Sequence, residues 1–125
     1  RRKEIIKKYD EACDELGVIH LQHYGKDFAS SGHLYLTRIP GARDEQRREI
    51  ITKLAERGVN TNVHYKPLPM MTAYKNMGWD IKNFPNAYAY YENLITLPLH
   101  TKLSDEDVEY VTENFKAVVS AYTSK

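Results

Sequence analysis

The strongest constraint on the fold is an apolar stripe at helical spacing near the C-terminus. Ser104 precedes three acidic residues and then a run in which apolar residues recur every three or four positions. A serine cap satisfies free N–H groups at a helix start, and acids there interact favourably with the helix dipole. We therefore predict a helix after Ser104 that buries one face against another layer of structure. Its inward residues are Val108, Val111, Phe115, Val118, Val119 and Tyr122.

Two more amphipathic helices are predicted upstream. Residues 3–16 carry apolar residues at helical spacing and end at Gly17, a residue that commonly terminates helices. Asp44 is a candidate N-cap for a helix that runs to residue 57. The inward residues of these two helices are Ile5, Ile6, Tyr9, Ala12, Cys13 and Leu16, then Ile50, Ile51, Leu54 and Ala55.

Strand patterns lie between the helices. "HLYLTRI" (33–39) and "VNTNVHY" (59–65) alternate in polarity, and "ITLPLHTKL" is a short strand or extended segment interrupted by Pro98. Short helices are predicted over 70–77 and in "FPNAYAYYENL", where Pro85 suits a first helical turn. The predicted fold is α/β (α+β), a small, mainly antiparallel sheet covered by helices.

Composition excludes several classes of function. The 125 residues fit one domain, and 18 basic against 17 acidic residues give no electrostatic reason to expect a nucleic-acid or membrane partner. No apolar run approaches the ~20 residues that span a bilayer. Cys13 is the single cysteine, so an internal disulfide is impossible, and a reducing, cytoplasmic location is expected.

Few residue patterns indicate chemistry by themselves. Cys13 lies on a predicted buried stripe, where cysteine behaves as a small hydrophobe rather than a nucleophile. His20 and His23 are three residues apart, but no third ligand follows at a recognisable spacing, so no metal site is predicted. The tyrosines of "YAYYENL" are expected to pack rather than to form a stacking platform. The sequence also lacks GxGxxG, P-loop and GxSxG motifs.

The end of the second predicted strand, "HYKPLP", is the best candidate for a site. Alternation places His64 on the polar face with two asparagines, where an exposed histidine and a functional one are both open readings. Tyr65 falls on the apolar face, which favours packing. His33 and Tyr35 share a mixed face that pattern alone leaves undecided. On residue chemistry alone the chain is an accessory α/β domain.

Four ordered motifs carry a family resemblance over essentially the whole chain. "GVNTNVHYKPL" and "ITLPLHTKLSDED" are the most specific, and "HLYLTR" and the N-terminal "IIKKYDEAC" agree in order. The chain resembles the C-terminal domain of the DegT/DnrJ/EryC1/StrS aminotransferases, which are sugar aminotransferases that use pyridoxal phosphate. The resemblance implies a fold type I architecture, in which a larger domain before Arg1 binds the cofactor and supplies the Schiff-base lysine.

Residues 1–125 are then expected to be a small C-terminal domain that lacks catalytic residues, binds no metal and is inactive alone. The parent is expected to be a homodimer that transfers an amino group, with glutamate as donor, to a keto-sugar nucleotide. The family's small domain closes over the cofactor and helps to hold the nucleotide sugar. The residues that the resemblance assigns to substrate binding are His64, Tyr65 and Lys66 of the HY motif, and His33, Tyr35 and Arg38 of the preceding strand.

Other functions remain open at this point. Some relatives act as sugar dehydratases and others aminate cyclitols, and the Schiff-base position that separates dehydratases from aminotransferases lies outside this sequence. A free-standing binding or regulatory domain is a further alternative. Pro69 stands where many members carry a second histidine, so a role for that histidine cannot be transferred here.

Overall fold

A computed structural model describes residues 1–123 as five α-helices, two 3₁₀ turns and three strands. The long helices α1 and α5 lie near the two ends of the chain, and the strands form one sheet between them in sequence. In chain order the elements are α1 (Arg2–Leu16), β1 (Ile19–His20), β2 (Tyr35–Arg38), α2 (Asp44–Glu56), a 3₁₀ turn (Leu68–Met70), α3 (Thr72–Asn76), a 3₁₀ turn (Ile81–Asn83), α4 (Pro85–Tyr91), β3 (Leu94–Leu97) and α5 (Asp105–Val119).

The sheet is antiparallel throughout, with strand order β1-β2-β3. Tyr35 is opposite Leu97 and Arg38 is opposite Leu94 in the β2–β3 register. All four residues of β3 are buried, and the strand lies between β2 on one side and the 59–65 segment on the other. The predicted fold class, a small antiparallel sheet covered by helices, is confirmed.

Both terminal helices bury the predicted stripes. All six inward residues predicted for α1 are buried, and five of the six predicted for α5 are buried within the helix. The sixth, Tyr122, lies beyond the end of α5 and is half-buried against the core. Cys13 has no exposed surface, and burial raises the pKa of its thiol to about 12. The packing role predicted for Cys13 is confirmed.

The start and the inner face of α2 differ from prediction. Arg43 is the N-cap, and its backbone N–H donates to the Gln46 side chain at 2.7 Å, so the prediction that Asp44 caps the helix is wrong. Ala55 is exposed, whereas Arg47 is buried. A guanidinium is tolerated there because Asp44 and the Tyr91 carbonyl accept its N–H groups.

The predicted strand over 59–65 is also wrong. The segment is extended, but it pairs with β3 only through a bridge between Asn62 and Thr96, with N···O distances of 3.1 and 2.7 Å. The next donor along, the N–H of Val63, donates to the Asn62 side chain at 2.7 Å. A local side-chain bond of this kind competes with a ladder and ends it after one step.

Candidate functional site

A polar groove forms where three segments meet beside β3. Its volume is about 290 Å³, which places it at the lower end of ligand pockets and suits one chemical group rather than a whole nucleotide sugar. The side chains include two histidines and two asparagines but no acidic residue. The lining residues are His33, Leu34, Asn60, Thr61, Asn62, His64, Thr96, Leu97, Pro98 and Leu99.

His64 is held in the groove by a side-chain contact that the sequence did not indicate. Its Nδ1 lies 3.0 Å from Oγ1 of Thr96, a residue only 4% exposed. Thr96 in turn is fixed by its backbone, which pairs with Leu36 of β2 on one side and with Asn62 on the other. The imidazole is therefore anchored to a strand that is hydrogen-bonded to other backbone on both sides.

The two residues after His64 point to open surface. Tyr65 is 67% exposed, so the prediction that it packs in the core is wrong: the alternation of a regular strand does not extend to it. The His64–Tyr65 peptide bond is cis, and the two rings meet edge to face with centroids 4.6 Å apart. Lys66 is also exposed. Both residues follow the groove in sequence without lining it.

The three candidates of the preceding strand segment have different surroundings. His33 is exposed and lines the groove with His64. Tyr35 is fully buried and donates its hydroxyl to Asp10 at 2.7 Å, which leaves it no surface for a substrate. We therefore interpret Tyr35 as a core residue rather than a substrate contact.

Arg38 braces α4. Its guanidinium donates to the Asn93 side chain and to the carbonyl of Ala89, both at 3.1 Å, and lies 4.5 Å from the centre of the Tyr90 ring. These contacts give Arg38 a structural role within the described residues. They also agree with the packing reading of "YAYYENL", although Tyr88 of the same helix is exposed.

Sequence reasoning missed two threonines in the groove. In the sequence, Thr96 is one residue of the segment "ITLPLHTKL", and Thr61 is one residue of the predicted strand 59–65, which does not form. Oγ1 of Thr61 is buried and has no hydrogen-bond partner in residues 1–123. The pairing of Thr96 with a histidine 32 positions away has no local signal in the sequence.

The rings of His20 and His23 lie near the Tyr35 ring, with centroid distances of 6.2 and 5.5 Å, and neither histidine lines the polar groove. The Nδ1 and Nε2 atoms of His20 are each 3.0 Å from a carboxylate oxygen, of Asp10 and Asp14 respectively. His23 is buried, and desolvation lowers its pKa. Within the described part of the chain, no group of three or more His, Cys, Asp or Glu residues is placed to hold a metal.

A second, apolar groove of about 360 Å³ adjoins the proline-rich exit after Lys66. Two of the large apolar side chains that line it remain uncovered, since Leu68 is 54% exposed and Trp79 50%. Met77, two residues before Trp79, is 72% exposed. Such a contiguous apolar surface is typical of a contact with other protein. The lining residues are Pro67, Leu68, Pro69, Tyr74, Trp79, Phe84 and Ala87.

Neither groove has the donor set of a pyridoxal-phosphate site. That cofactor needs a lysine amine for the Schiff base and a cluster of donors for its phosphate. Among residues 1–123, no lysine lines the polar groove or the apolar one. Neither of these two grooves therefore forms a site for this cofactor by itself.

The same arrangement of helices and sheet occurs in solved aminotransferases. Spr1654 of Streptococcus pneumoniae, assigned as a sugar aminotransferase and solved in its PMP form, superposes with a TM-score of 0.92 at 52% identity, covering 97% of this chain and 30% of that one. TlmJ of Streptoalloteichus hindustanus, an aminotransferase, superposes with a TM-score of 0.83 at 32% identity, covering 98% and 32%. The fold is that of part of a fold type I aminotransferase.

The chain belongs to the DegT/DnrJ/EryC1/StrS aminotransferase family, whose sequence profile matches residues 1–116. The spore coat polysaccharide biosynthesis protein SpsC of Bacillus subtilis is 32% identical over 122 residues, which are 95% of this chain and 31% of SpsC. The dTDP-4-dehydro-2,3,6-trideoxy-D-glucose 4-aminotransferase of Saccharopolyspora spinosa is 29% identical over 126 residues, covering 100% of this chain and 31% of that enzyme.

These comparisons confirm the resemblance found in the sequence. The family is that of pyridoxal-phosphate-dependent aminotransferases, one solved neighbour is a PLP form, and relatives include enzymes named for nucleotide sugars. The chain spans about a third of the length of the relatives it matches. No helix within residues 1–123 is long and apolar enough to cross a membrane.

Proposed function

We propose that residues 1–125 form the small C-terminal domain of a nucleotide-sugar aminotransferase and help to hold the sugar nucleotide. The observation that carries the proposal is the polar groove that both His33 and His64 line and in which His64 is bonded to Thr96. Two of its walls come from the segments that bear the most specific family motifs. A histidine anchored to a buried strand can meet a ligand at little cost in ordering.

The proposal assigns the cofactor chemistry to polypeptide outside residues 1–125. A larger domain would bind pyridoxal phosphate and carry the Schiff-base lysine, as the resemblance implies. The amino donor, expected to be glutamate, the homodimeric state of the parent and its cytoplasmic location are parts of the same proposal. A dehydratase or a cyclitol aminotransferase would differ in the cofactor-binding domain, which lies outside these residues. The proposed role of the groove is therefore compatible with those alternatives.

The cofactor assignment gives a direct test on the chain as it stands. After mixing with pyridoxal phosphate and reduction with borohydride, we expect scattered, substoichiometric labelling of exposed lysines, since no lysine lines either groove. Absorbance spectra and peptide mass spectrometry measure the outcome. The full-length protein should instead show one stoichiometric lysine adduct outside this segment. One fully labelled lysine within residues 1–125 would contradict the proposal.

The apolar groove supports a covering domain. Its exposed side chains lie next to the HY motif, and the solved relative that superposes best in the two comparisons above is more than three times as long as the matched segment. We propose that the larger domain of the same protein packs over Leu68, Met77 and Trp79. Burial of these side chains would contribute roughly 25 cal/mol per Å² of apolar surface.

Hydroxyl-radical footprinting tests whether the larger domain buries these apolar side chains. Met77 and Trp79 are oxidation-prone and exposed in the 125-residue chain, so we expect several-fold lower labelling of both in the full-length protein. Tyr110, which is 53% exposed on α5, is the matched control and should label equally in both. Equal labelling of Met77 and Trp79 in the two proteins would show that the larger domain does not cover this face.

A further inference from the structure

We infer that Thr96 is a positioning residue that sets the tautomer of His64, so that the groove offers an N–H donor to an oxygen atom of the ligand. The inference rests on the proposed function for the identity of that ligand. The tautomer itself is inferred from the hydrogen bond between Thr96 and His64 and does not depend on the proposed function.

The argument begins with the hydrogen of the Thr96 hydroxyl. Oγ1 of Thr96 lies 3.0 Å from Nδ1 of His64 and makes no other hydrogen bond within residues 1–123. A hydroxyl carries one hydrogen, and a buried donor left unpaired costs about 1–3 kcal/mol. If Nδ1 carried the proton, it would donate to Oγ1, and the threonine hydrogen would have no acceptor.

The opposite arrangement satisfies both groups. When the Thr96 hydroxyl donates to an unprotonated Nδ1, the neutral imidazole carries its hydrogen on Nε2. Nε2 makes no hydrogen bond within the described residues, and the ring lines the groove. The nitrogen that remains for a ligand is therefore a donor.

A second group in the groove points to the same ligand chemistry. Thr61 also lines the groove, and its Oγ1 is buried without a hydrogen-bond partner in residues 1–123, so its hydroxyl hydrogen needs an acceptor that the described residues do not supply. No acidic side chain lines the groove to repel an oxygen-rich ligand. Two donors and no carboxylate suit an acceptor oxygen, which a sugar nucleotide can supply from a hydroxyl or from a phosphate.

Nitrogen-15 NMR of the 125-residue chain tests the inference, because the chemical shift of each ring nitrogen reports its protonation and hydrogen bonding. In the neutral imidazole of His64 we expect an unprotonated, hydrogen-bonded Nδ1. In Thr96→Val that nitrogen should move to the shift of a free imidazole acceptor, and Thr96→Ser should restore the bonded value. Thr37→Val is the matched control, since the buried Thr37 hydroxyl donates to the Ile95 carbonyl at 2.8 Å and not to His64.

Two results would overturn the inference: a protonated Nδ1 in the neutral wild-type ring, or a shift unchanged by Thr96→Val. The wild-type measurement decides the question even if that variant does not fold.

Addition of inorganic phosphate or of a neutral hexose then distinguishes a phosphate oxygen from a sugar hydroxyl as the acceptor. The phosphate source predicts a shift of Nε2 with phosphate alone, and the hydroxyl source predicts one with hexose alone. No shift with either would overturn the ligand chemistry while leaving the tautomer result intact.

The full-length protein separates this inference from the proposed function. There, Thr96→Val is expected to raise KM for the sugar nucleotide roughly fivefold, the equivalent of one ordinary hydrogen bond. Thr96→Ser should stay near wild type. A changed Nδ1 shift without a change in KM would uphold the role of Thr96 and remove the groove from the substrate site.

Discussion

Replacing His64 by alanine in the full-length protein is expected to lower kcat/KM for the sugar nucleotide roughly 10- to 100-fold, the loss of one hydrogen bond to a polar or charged group. The half-reaction with the amino donor should change little, because a glutamate molecule has no sugar to place in the groove. Single-turnover kinetics of the two half-reactions measure the difference. Equal losses in both would count against a role for His64 on the substrate side.

Two conservative variants sharpen this test. The glutamine amide reaches the place of the Nε2 atom of histidine, and the shorter asparagine amide reaches that of Nδ1. If the Nε2–H group meets the substrate, His64→Gln should keep more activity than His64→Asn. The reverse order would indicate that the Thr96 contact at 3.0 Å, rather than a ligand contact, dominates the effect.

Replacing the buried Arg47 by alanine is expected to destabilise the fold. This guanidinium pairs with Asp44, donates to the Tyr91 carbonyl at 2.6 Å and lies 4.2 Å from the centre of the Tyr91 ring. Removing it leaves the Tyr91 carbonyl without its donor at the α2–α4 contact and leaves the Asp44 carboxylate paired, among residues 1–123, with Arg48 alone. We expect the free energy of unfolding to fall by about 3 kcal/mol, as for other broken buried pairs. Urea unfolding followed by circular dichroism measures the change.

Arg48→Ala is the matched control for that variant. Arg48 pairs with the same Asp44 at 2.8 Å, but its side chain is 74% exposed. Exposed pairs of this kind contribute about 0.5 kcal/mol or less. Similar losses for the two variants would mean that burial of Arg47 and its contact with Tyr91 do not stabilise the fold.

The helices could be predicted because their signals are local. A serine at the cap of α5, a glycine after α1 and apolar residues at helical spacing all act within a few residues of one another. The predicted start of α2 was wrong by one position: aspartate is a common N-cap residue, but here Arg43 is the N-cap and its backbone N–H donates to the Gln46 side chain. The buried Arg47 could not be predicted, because its partner Tyr91 is 44 positions away.

The candidate site was predicted in part. His64 and His33 were found through motifs, and the structure places both in one groove. Tyr65 was misplaced because the alternation rule assumes a ladder that ends at Asn62. Tyr35 and Arg38 belong to the same strand segment as His33 but do not line the groove. Tyr35 is buried against Asp10 of α1, and Arg38 donates to the Ala89 carbonyl of α4, contacts that the strand pattern does not indicate.

The sequence by itself determined the helices, the antiparallel α+β class and the family, because these depend on periodicity, capping and ordered motifs within short stretches. Only the tertiary structure decided which polar residues meet. Thr96 is 32 positions from His64, and their contact exists because a single backbone bridge brings the 59–65 segment beside β3. Hydrogen bonding acts over about 3 Å, so it depends on distances in space that the order of residues does not specify.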